Sequence, residues 1–193
     1  MGKTRLEAFS DGVIAILITI MVLELKPPSG NSWPAMQHMV FTLLLYVLSF
    51  IFLGIYWTNH HHMFQATKHV TGGVLWANLH LLFWLSLVPF VTSWMGQRHF
   101  DSFSTAIYGI VFLASAIAYT ILQSRIIAHE GASSRLAVAV GRDRKGKASM
   151  LLYFAAIFLA FVHPLIADGL YVIVALIWLV PDRRIESTLA HEH

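Results

Sequence analysis

Histidine is abundant in this sequence, and it is the side chain that most often binds metals or carries protons near neutral pH. The 193 residues include 11 His and no Cys, which excludes disulfides, thiolate zinc sites and cysteine nucleophiles. His60, His61 and His62 are consecutive. Adjacent helical residues point about 100° apart, so these three do not converge on one ion. We predict no metal site, one inward His that bonds to a network around Asp11, and two His at the cytoplasmic interface.

Asp11 is the second residue that points to chemistry, because it precedes the apolar run Gly12 to Leu23. An ionised carboxylate costs about 2.5–3.5 kcal/mol at the centre of a membrane helix, and less near an end. It should therefore have partners inside the protein. Arg5, Ser10 and polar side chains of the next two helices are candidates. Two interpretations stay open, a buried network that holds helices together and a site for a proton or cation.

The composition is that of a membrane protein. Of all residues 57% are hydrophobic and only 12% are charged, whereas a soluble domain is about a quarter charged. This excludes a disordered chain, a coiled coil and a nucleic-acid-binding module, and it disfavours a water-soluble enzyme. No small-residue cleavage site follows the first apolar run, so we expect that run to remain as a helix and not to be removed as a signal peptide.

Apolar segments predict six membrane helices, since a span needs about 20 mostly apolar residues. With the N-terminus inside, Lys26 and Arg98 are the only 2 of 13 Lys and Arg that fall outside, which predicts that both termini are cytoplasmic. We therefore expect an all-α polytopic membrane protein with one six-helix transmembrane domain over residues 1–193. The expected helices cover residues 4–25, 35–62, 70–96, 103–128, 148–166 and 168–181.

The first helix carries a narrow stripe of side chains. On a helical wheel with Ile16 at zero, four residues fall within about 60° of it, namely Gly12, Thr19, Ile20 and Leu23. Ser10 and Asp11 point away from this stripe. Taken alone, such a stripe more often faces lipid or a neighbouring helix than a pore. Thr4 and Glu7 match a capping box, which predicts a helix start at Thr4.

Several motifs together resemble a known family. Arg5, Phe9, Ser10 and Asp11 form Arg-x-x-x-Phe-Ser-Asp at the start of the first helix. Residues 56–61 read Tyr-Trp-Thr-Asn-His-His, Asn78 follows in the third segment, and residues 89–92 read Pro-Phe-Val-Thr. These residues are similar to the lysosomal potassium channel family, the transmembrane protein 175 family, and the whole chain resembles its one-repeat prokaryotic members.

The resemblance implies a homotetrameric, potassium-permeable cation channel in the plasma membrane. Four copies of the first helix would line a central pore without a carbonyl filter. The constriction would be formed by Ile16, with Ile20 and Leu23 as further layers and Thr19 as the polar side chain beside them.

In the family the helix-two Trp-His pair and the helix-three Asn brace the motif. This implies bracing roles for Trp57, His60 or His61, and Asn78. Glu24 is a candidate charge at the outer mouth. Permeant potassium is the expected ligand, with no cofactor, no nucleic acid, and membrane lipids as neighbours.

Two other classes of function remain as alternatives. A proton-coupled or other secondary transporter would use internal repeats and broken helices near the midplane. In the third segment Gly72, Gly73 and Pro89 are the helix breakers. An intramembrane enzyme would need a nucleophile with its base, or a carboxylate pair, and no such set is apparent in the sequence.

Overall fold

A computed structural model describes residues 2–28, 30, 32–141 and 143–179. In this part of the chain all regular structure is helical, as the composition predicted. It contains eight helices, which are α1 (Lys3–Leu23), α2 (Trp33–Gln65), α3 (Gly72–Ser86), α4 (Val88–Gln97), α5 (Ser102–Glu130), α6 (Arg135–Val140), α7 (Arg144–Leu159) and α8 (Pro164–Leu179).

Helix α1 is largely apolar after its first turns, but only one face is buried. Its buried residues follow the three- and four-residue spacing of a helix face, and they are Leu6, Ser10, Ile14, Leu17 and Met21. This face packs against α2, α3 and α4. The predicted capping box is wrong, because the helix begins at Lys3, Gly2 is the N-cap, and no side chain caps it. Thr4 therefore lies inside the first turn.

The third predicted segment is divided into α3 and α4. Helix α3 ends at Ser86 and α4 begins at Val88. Pro89 lacks a backbone N–H and its ring crowds the preceding turn, which interrupts the helical hydrogen bonds there. The two pieces still form one apolar stretch, Gly72–Gln97, that is long enough to cross a membrane.

The last two helices start earlier than predicted. Helix α7 begins at Arg144 because Asp143 caps it, with its Oδ1 accepting from the Gly146 N–H at 3.1 Å. Helix α8 begins at Pro164, a residue well suited to the first helical position. The turn between them therefore covers residues 160–163, whereas the predicted helices placed it at residue 167. The predicted end at residue 181 lies outside the described residues.

Four stretches are long and apolar enough to cross a membrane, namely Lys3–Leu23, Met39–Gln65, Gly72–Gln97 and Ser102–Glu130. Helix α8 is apolar but has only 16 residues, which corresponds to about 24 Å at 1.5 Å per residue. The hydrocarbon core is about 30 Å thick. The long loop predicted between the fourth and fifth segments contains the short helix α6, which Ser134 caps by accepting from Ala137 N–H.

Aromatic side chains hold α2, α5, α7 and α8 together. Phe52 of α2 lies 4.5 Å from Phe112 of α5, measured between ring centroids. Tyr153 of α7 stacks on Phe112 at 6.0 Å, and Tyr171 of α8 packs on Tyr108 at 5.2 Å. Such rings bury large areas and add roughly 0.5–1.5 kcal/mol per pair beyond that burial. Helices α5, α7 and α8 therefore support α2 from one side.

A chain of hydroxyl groups crosses the same region. The Thr92 and Ser49 hydroxyls pair at 2.8 Å, and Ser49 pairs with the Tyr108 hydroxyl at 3.0 Å. The chain joins α4, α2 and α5.

Asp101 caps the start of α5. The Ser104 hydroxyl and N–H donate to its carboxylate and hold the pKa of that carboxyl below its ordinary value.

We expect Gly109→Ala to destabilise the fold, because α5 packs closely against Tyr171 of α8 there. A methyl group at Gly109 would overlap the buried Tyr171 hydroxyl and lie 3.0 Å from Ile157 Cγ1. Overpacking of this kind costs about 1–3 kcal/mol. Thermal unfolding of the purified protein, followed by tryptophan fluorescence, measures the loss. Gly54→Ala is the matched control, since nothing lies within 4 Å of the added carbon; equal melting temperatures for the two variants would contradict the prediction.

Candidate functional site

A buried polar chain fixes α1 to α3 and α2. Ser10 Oγ accepts from Asn78 Nδ2 at 2.9 Å and donates to the Leu6 carbonyl oxygen at 2.9 Å. The Oδ1 atom of Asn78 lies 2.8 Å from His60 Nε2. Because an amide oxygen only accepts, His60 donates from Nε2. All three side chains are buried, with His60 the most exposed at 1%.

A second bond fixes α1 to α2 one residue further along. The Trp57 indole Nε1 donates to Asp11 Oδ1 at 3.0 Å. His61 stacks on Trp57 with 6.1 Å between ring centroids and pairs with Gln65 through its Nε2 at 2.8 Å. His60 and His61 therefore have different roles: His60 bonds to Asn78, while His61 supports the indole that holds Asp11.

The remaining two motif residues lie on the other side of α1. Arg5 and Phe9 are exposed, with Phe9 at 48%, and within the described residues no ion pair joins Arg5 to Asp11. On the wheel both lie within about 20° of Ile16. Of the candidate partners for Asp11, the structure thus selects Trp57 and not Arg5. We call Ser10, Asp11, Trp57, His60 and Asn78 the clamp.

The predicted stripe is an uncovered apolar ridge. Ile16 is 56% exposed, Ile20 40% and Leu23 78%, whereas Ile14 on the opposite face is fully buried. The Thr19 side chain is also exposed, and its hydroxyl donates to the Ile16 carbonyl oxygen at 2.9 Å. Together with Gly12, these four residues form a continuous surface that a single chain leaves open. We call it the ridge.

Glu24 points sideways from the ridge toward α4. Its Oε2 accepts from Ser93 Oγ at 2.8 Å, and Gln97 Nε2 donates to the same Ser93 oxygen at 2.8 Å. A cleft of about 540 Å³ lies here between α1 and α4, with Ile20 and Phe90 among its walls. Sequence reasoning missed Ser93 and Gln97. Their i,i+4 spacing on one helix face is the signal that could have found them.

Metal chemistry finds no support in the described part of the chain. Across it, no group of three or more His, Asp or Glu side chains is placed to hold a metal ion. The Nε2 atom of His60 bonds to Asn78, and the Nε2 atom of His61 bonds to Gln65. In the described residues the clamp side chains join one helix to another.

The fold and the clamp define a class of protein: a helical membrane protein whose first helix is held on one face and bare along the other. A family model described as "Endosomal/lysosomal potassium channel TMEM175" matches residues 5–89. The chain is 56% identical over 189 residues to a potassium channel of Chryseobacterium sp. (strain P1-3), covering 98% of each. The chain belongs to the TMEM175 family.

A solved structure and a mammalian relative extend this comparison. The fold is similar to the crystal structure of a lysosomal potassium-selective channel TMEM175 homolog from Chamaesiphon minutus, with a TM-score of 0.78 and 26% identity. The match covers 93% of this chain and 97% of that one. The endosomal/lysosomal proton channel TMEM175 of Mus musculus is 27% identical over 180 residues, which are 83% of this chain and 36% of the mouse protein.

We expect Asn78→Leu to weaken the clamp. Leucine keeps a similar volume but leaves the Ser10 oxygen and the His60 Nε2–H without their amide partner in a buried site, at a cost of about 1–3 kcal/mol. Such a loss lowers the melting temperature by about 2–4 °C per kcal/mol. Tryptophan fluorescence of the purified protein measures it.

The matched control for this variant is Thr58→Val, because Thr58 is exposed and its hydroxyl donates only within α2, to the Gly54 carbonyl oxygen. A melting temperature for Asn78→Leu equal to that of the parent would show that the amide does not hold the helices together.

Proposed function

We propose that four copies of this chain form a potassium-permeable channel in the plasma membrane, with the ridge of each α1 lining a central pore. The observation that carries the proposal is the bare ridge on a helix whose opposite face is clamped. We infer that the ion is potassium because relatives are named potassium channels. No cofactor is needed, since the permeant ion is the only ligand that such a pore requires.

The clamp supports a pore lining more strongly than a lipid-facing ridge. Two bonds to two different helices fix the rotation of α1, so the same side chains always face outward. The ridge is not uniformly apolar, since Thr19 lies within it and Arg5 lies on its line at the N-terminal end. Lipid chains cannot solvate these two side chains, whereas the water in a passage between copies solvates both.

An apolar pore controls ion passage through its width. A narrow hydrophobic ring loses its water column, and an ion cannot shed its hydration shell there. In the proposed tetramer Ile16, Ile20 and Leu23 supply three such layers. Thr19 already donates its hydroxyl proton to a backbone carbonyl, so its oxygen lone pairs remain free to face a cation. Four such oxygens would replace part of the shell of potassium, which gives up water more readily than sodium.

The proposed orientation places both termini in the cytoplasm. Most Lys and Arg residues fall on the side of the membrane that holds both termini, and the positive-inside rule assigns that side to the cytoplasm. Six crossings require that α7 and α8 pass through the bilayer as a hairpin, although α8 has only 16 described residues. Local thinning of the bilayer around a short helix makes such a crossing feasible at a modest cost.

The proposed function is tested with purified protein in liposomes. A channel lets the membrane potential follow the imposed potassium gradient, and its flux rises with that gradient. A carrier saturates and couples potassium to a second ion. Because some relatives are named proton channels, a pH gradient without potassium is the companion measurement. Flux that saturates, or that requires an opposing proton gradient, would favour the secondary transporter.

We expect Ile16→Ala and Ile16→Asn to raise potassium flux and to weaken discrimination against sodium. Alanine widens the narrowest layer of the proposed pore, and asparagine makes that layer polar so that it holds water. We expect an increase of at least several-fold, measured as the initial rate of potassium efflux from liposomes. Val22→Ala is the control, because Val22 is similarly exposed at 49% but lies about 120° from Ile16 on α1. Parent-like flux in both Ile16 variants would exclude Ile16 as the constriction.

We expect Thr19→Val to lower the permeability of potassium relative to sodium. Valine has nearly the same shape as threonine but removes the oxygen that faces the ion. The ratio follows from the reversal potential with potassium on one side of a planar bilayer and sodium on the other. Thr58→Val again serves as control, since that hydroxyl lies on α2. An unchanged ratio would remove Thr19 from the explanation of selectivity.

A further inference from the structure

A small cavity lies on the far side of α2 from the pore helix. Its volume is about 70 Å³, and five helices enclose it, α2, α5, α6, α7 and α8. Ala139 and Val140 of α6 close one side of it, and both are largely buried. Aromatic side chains form much of the wall, including Phe52, Tyr119 and Trp178.

Two buried polar side chains in the cavity wall lack partners. Gln123 is 8% exposed and Tyr153 is 2% exposed, and within the described residues neither side chain makes a hydrogen bond to protein. Nearly all buried polar groups in proteins are hydrogen-bonded. By contrast, Ser149 in the same wall accepts from the Trp178 indole at 2.7 Å. We therefore expect a small molecule in the cavity to form hydrogen bonds with the Gln123 amide and the Tyr153 hydroxyl.

The size and polarity of the cavity select the guest. At about 30 Å³ for each water in the liquid, the space holds about two waters. It is about half the roughly 150 Å³ of an engineered apolar cavity that takes benzene. Aromatic walls suit a short carbon chain. The one acidic side chain among the described lining residues, Asp143, already accepts from the Gly146 N–H at 3.1 Å as the cap of α7. Among the described lining residues none is basic, so none of them pairs with an anion.

We propose that this cavity is a binding site for a small neutral hydroxyl compound of about the size of ethanol, which displaces the bound water. The hydroxyl bonds to Gln123 and Tyr153, and the carbon chain lies against the aromatic walls. A ligand with so few atoms binds weakly, so we expect a Kd on the order of 1 mM.

The site is coupled to the pore helix through α2, an inference that rests on the proposed function. Tyr56 and Asn59 line the cavity, and the next residue after each belongs to the clamp. Trp57 holds Asp11 at 3.0 Å, and His60 holds Asn78 at 2.8 Å. Helix α2 is thus a wall shared by the cavity and the clamp, and a guest that shifts or stiffens it acts on α1.

Binding is tested with 2-fluoroethanol and fluorine NMR on the purified full-length protein. We expect Gln123→Leu and Tyr153→Phe each to weaken binding at least fivefold, because both keep the volume and remove the polar group. Ala116→Leu places three extra carbons in the cavity and should abolish binding. Ala128→Leu is the control on the same helix, since Ala128 is exposed and outside the wall.

Parent-like binding in both Gln123→Leu and Tyr153→Phe would overturn the site, and it would do so even if Ala116→Leu failed to fold. These two variants change no backbone contact, and circular dichroism and thermal unfolding check that they fold.

Coupling is tested by potassium flux in liposomes with and without 2-fluoroethanol. We expect the compound to change the flux of the parent at least twofold and to leave that of Ala116→Leu unchanged. An equal change in both would show an effect on the bilayer and overturn the coupling. A parent without potassium flux would refute the proposed function, whereas the NMR result would still decide whether the site exists.

Discussion

The rotation of α1 depends on two neighbouring side chains that reach two different helices. Ser10 bonds to Asn78 of α3, and Asp11 bonds to Trp57 of α2. Consecutive helical residues point about 100° apart, so the two bonds can be made together in only one rotation and at one height. A shift by one residue would break both and leave a carboxylate and a buried amide without partners, which is costly inside a membrane protein.

This constraint determines which side chains of α1 form the ridge. With the clamp in place, Ile14 is buried and Ile16 is bare, although the two are chemically identical and two residues apart. Hydrophobicity alone would not distinguish them, because lipid and protein interior are similarly apolar. The polar bonds supply the distinction, and the apolar ridge follows from it. In the proposed tetramer the identity of the constriction is thus set by side chains that never touch the ion.

The cost of burying Asp11 correctly predicted that it has partners, but the sequence did not settle which ones. Arg5 lies about 120° from Asp11 around α1, so helical geometry would have excluded it as a partner. Assigning His60 to Asn78 required the positions of α1 and α3 around α2, which only tertiary packing defines. The start of α8 could have been predicted from Pro164, a common first residue of a helix. Hydropathy alone placed it four residues too late, because the apolar character continues through the turn.

The helices that do not line the proposed pore still determine how firmly α1 is held. The clamp is no stiffer than α2, and α2 is supported from behind by the aromatic contacts of Phe52 with α5 and α7. Beside Tyr56 and Asn59, Tyr119 of α5 packs on the Tyr56 ring and donates to the Asn59 carbonyl oxygen, and the cavity takes up the rest of the space there. Empty space offers no dispersion attraction on that side, so the cavity leaves α2 less tightly packed next to Trp57, which holds Asp11, and His60, which holds Asn78. In the proposed tetramer the peripheral helices therefore brace α1 and, at the cavity, leave a place from which it could be moved.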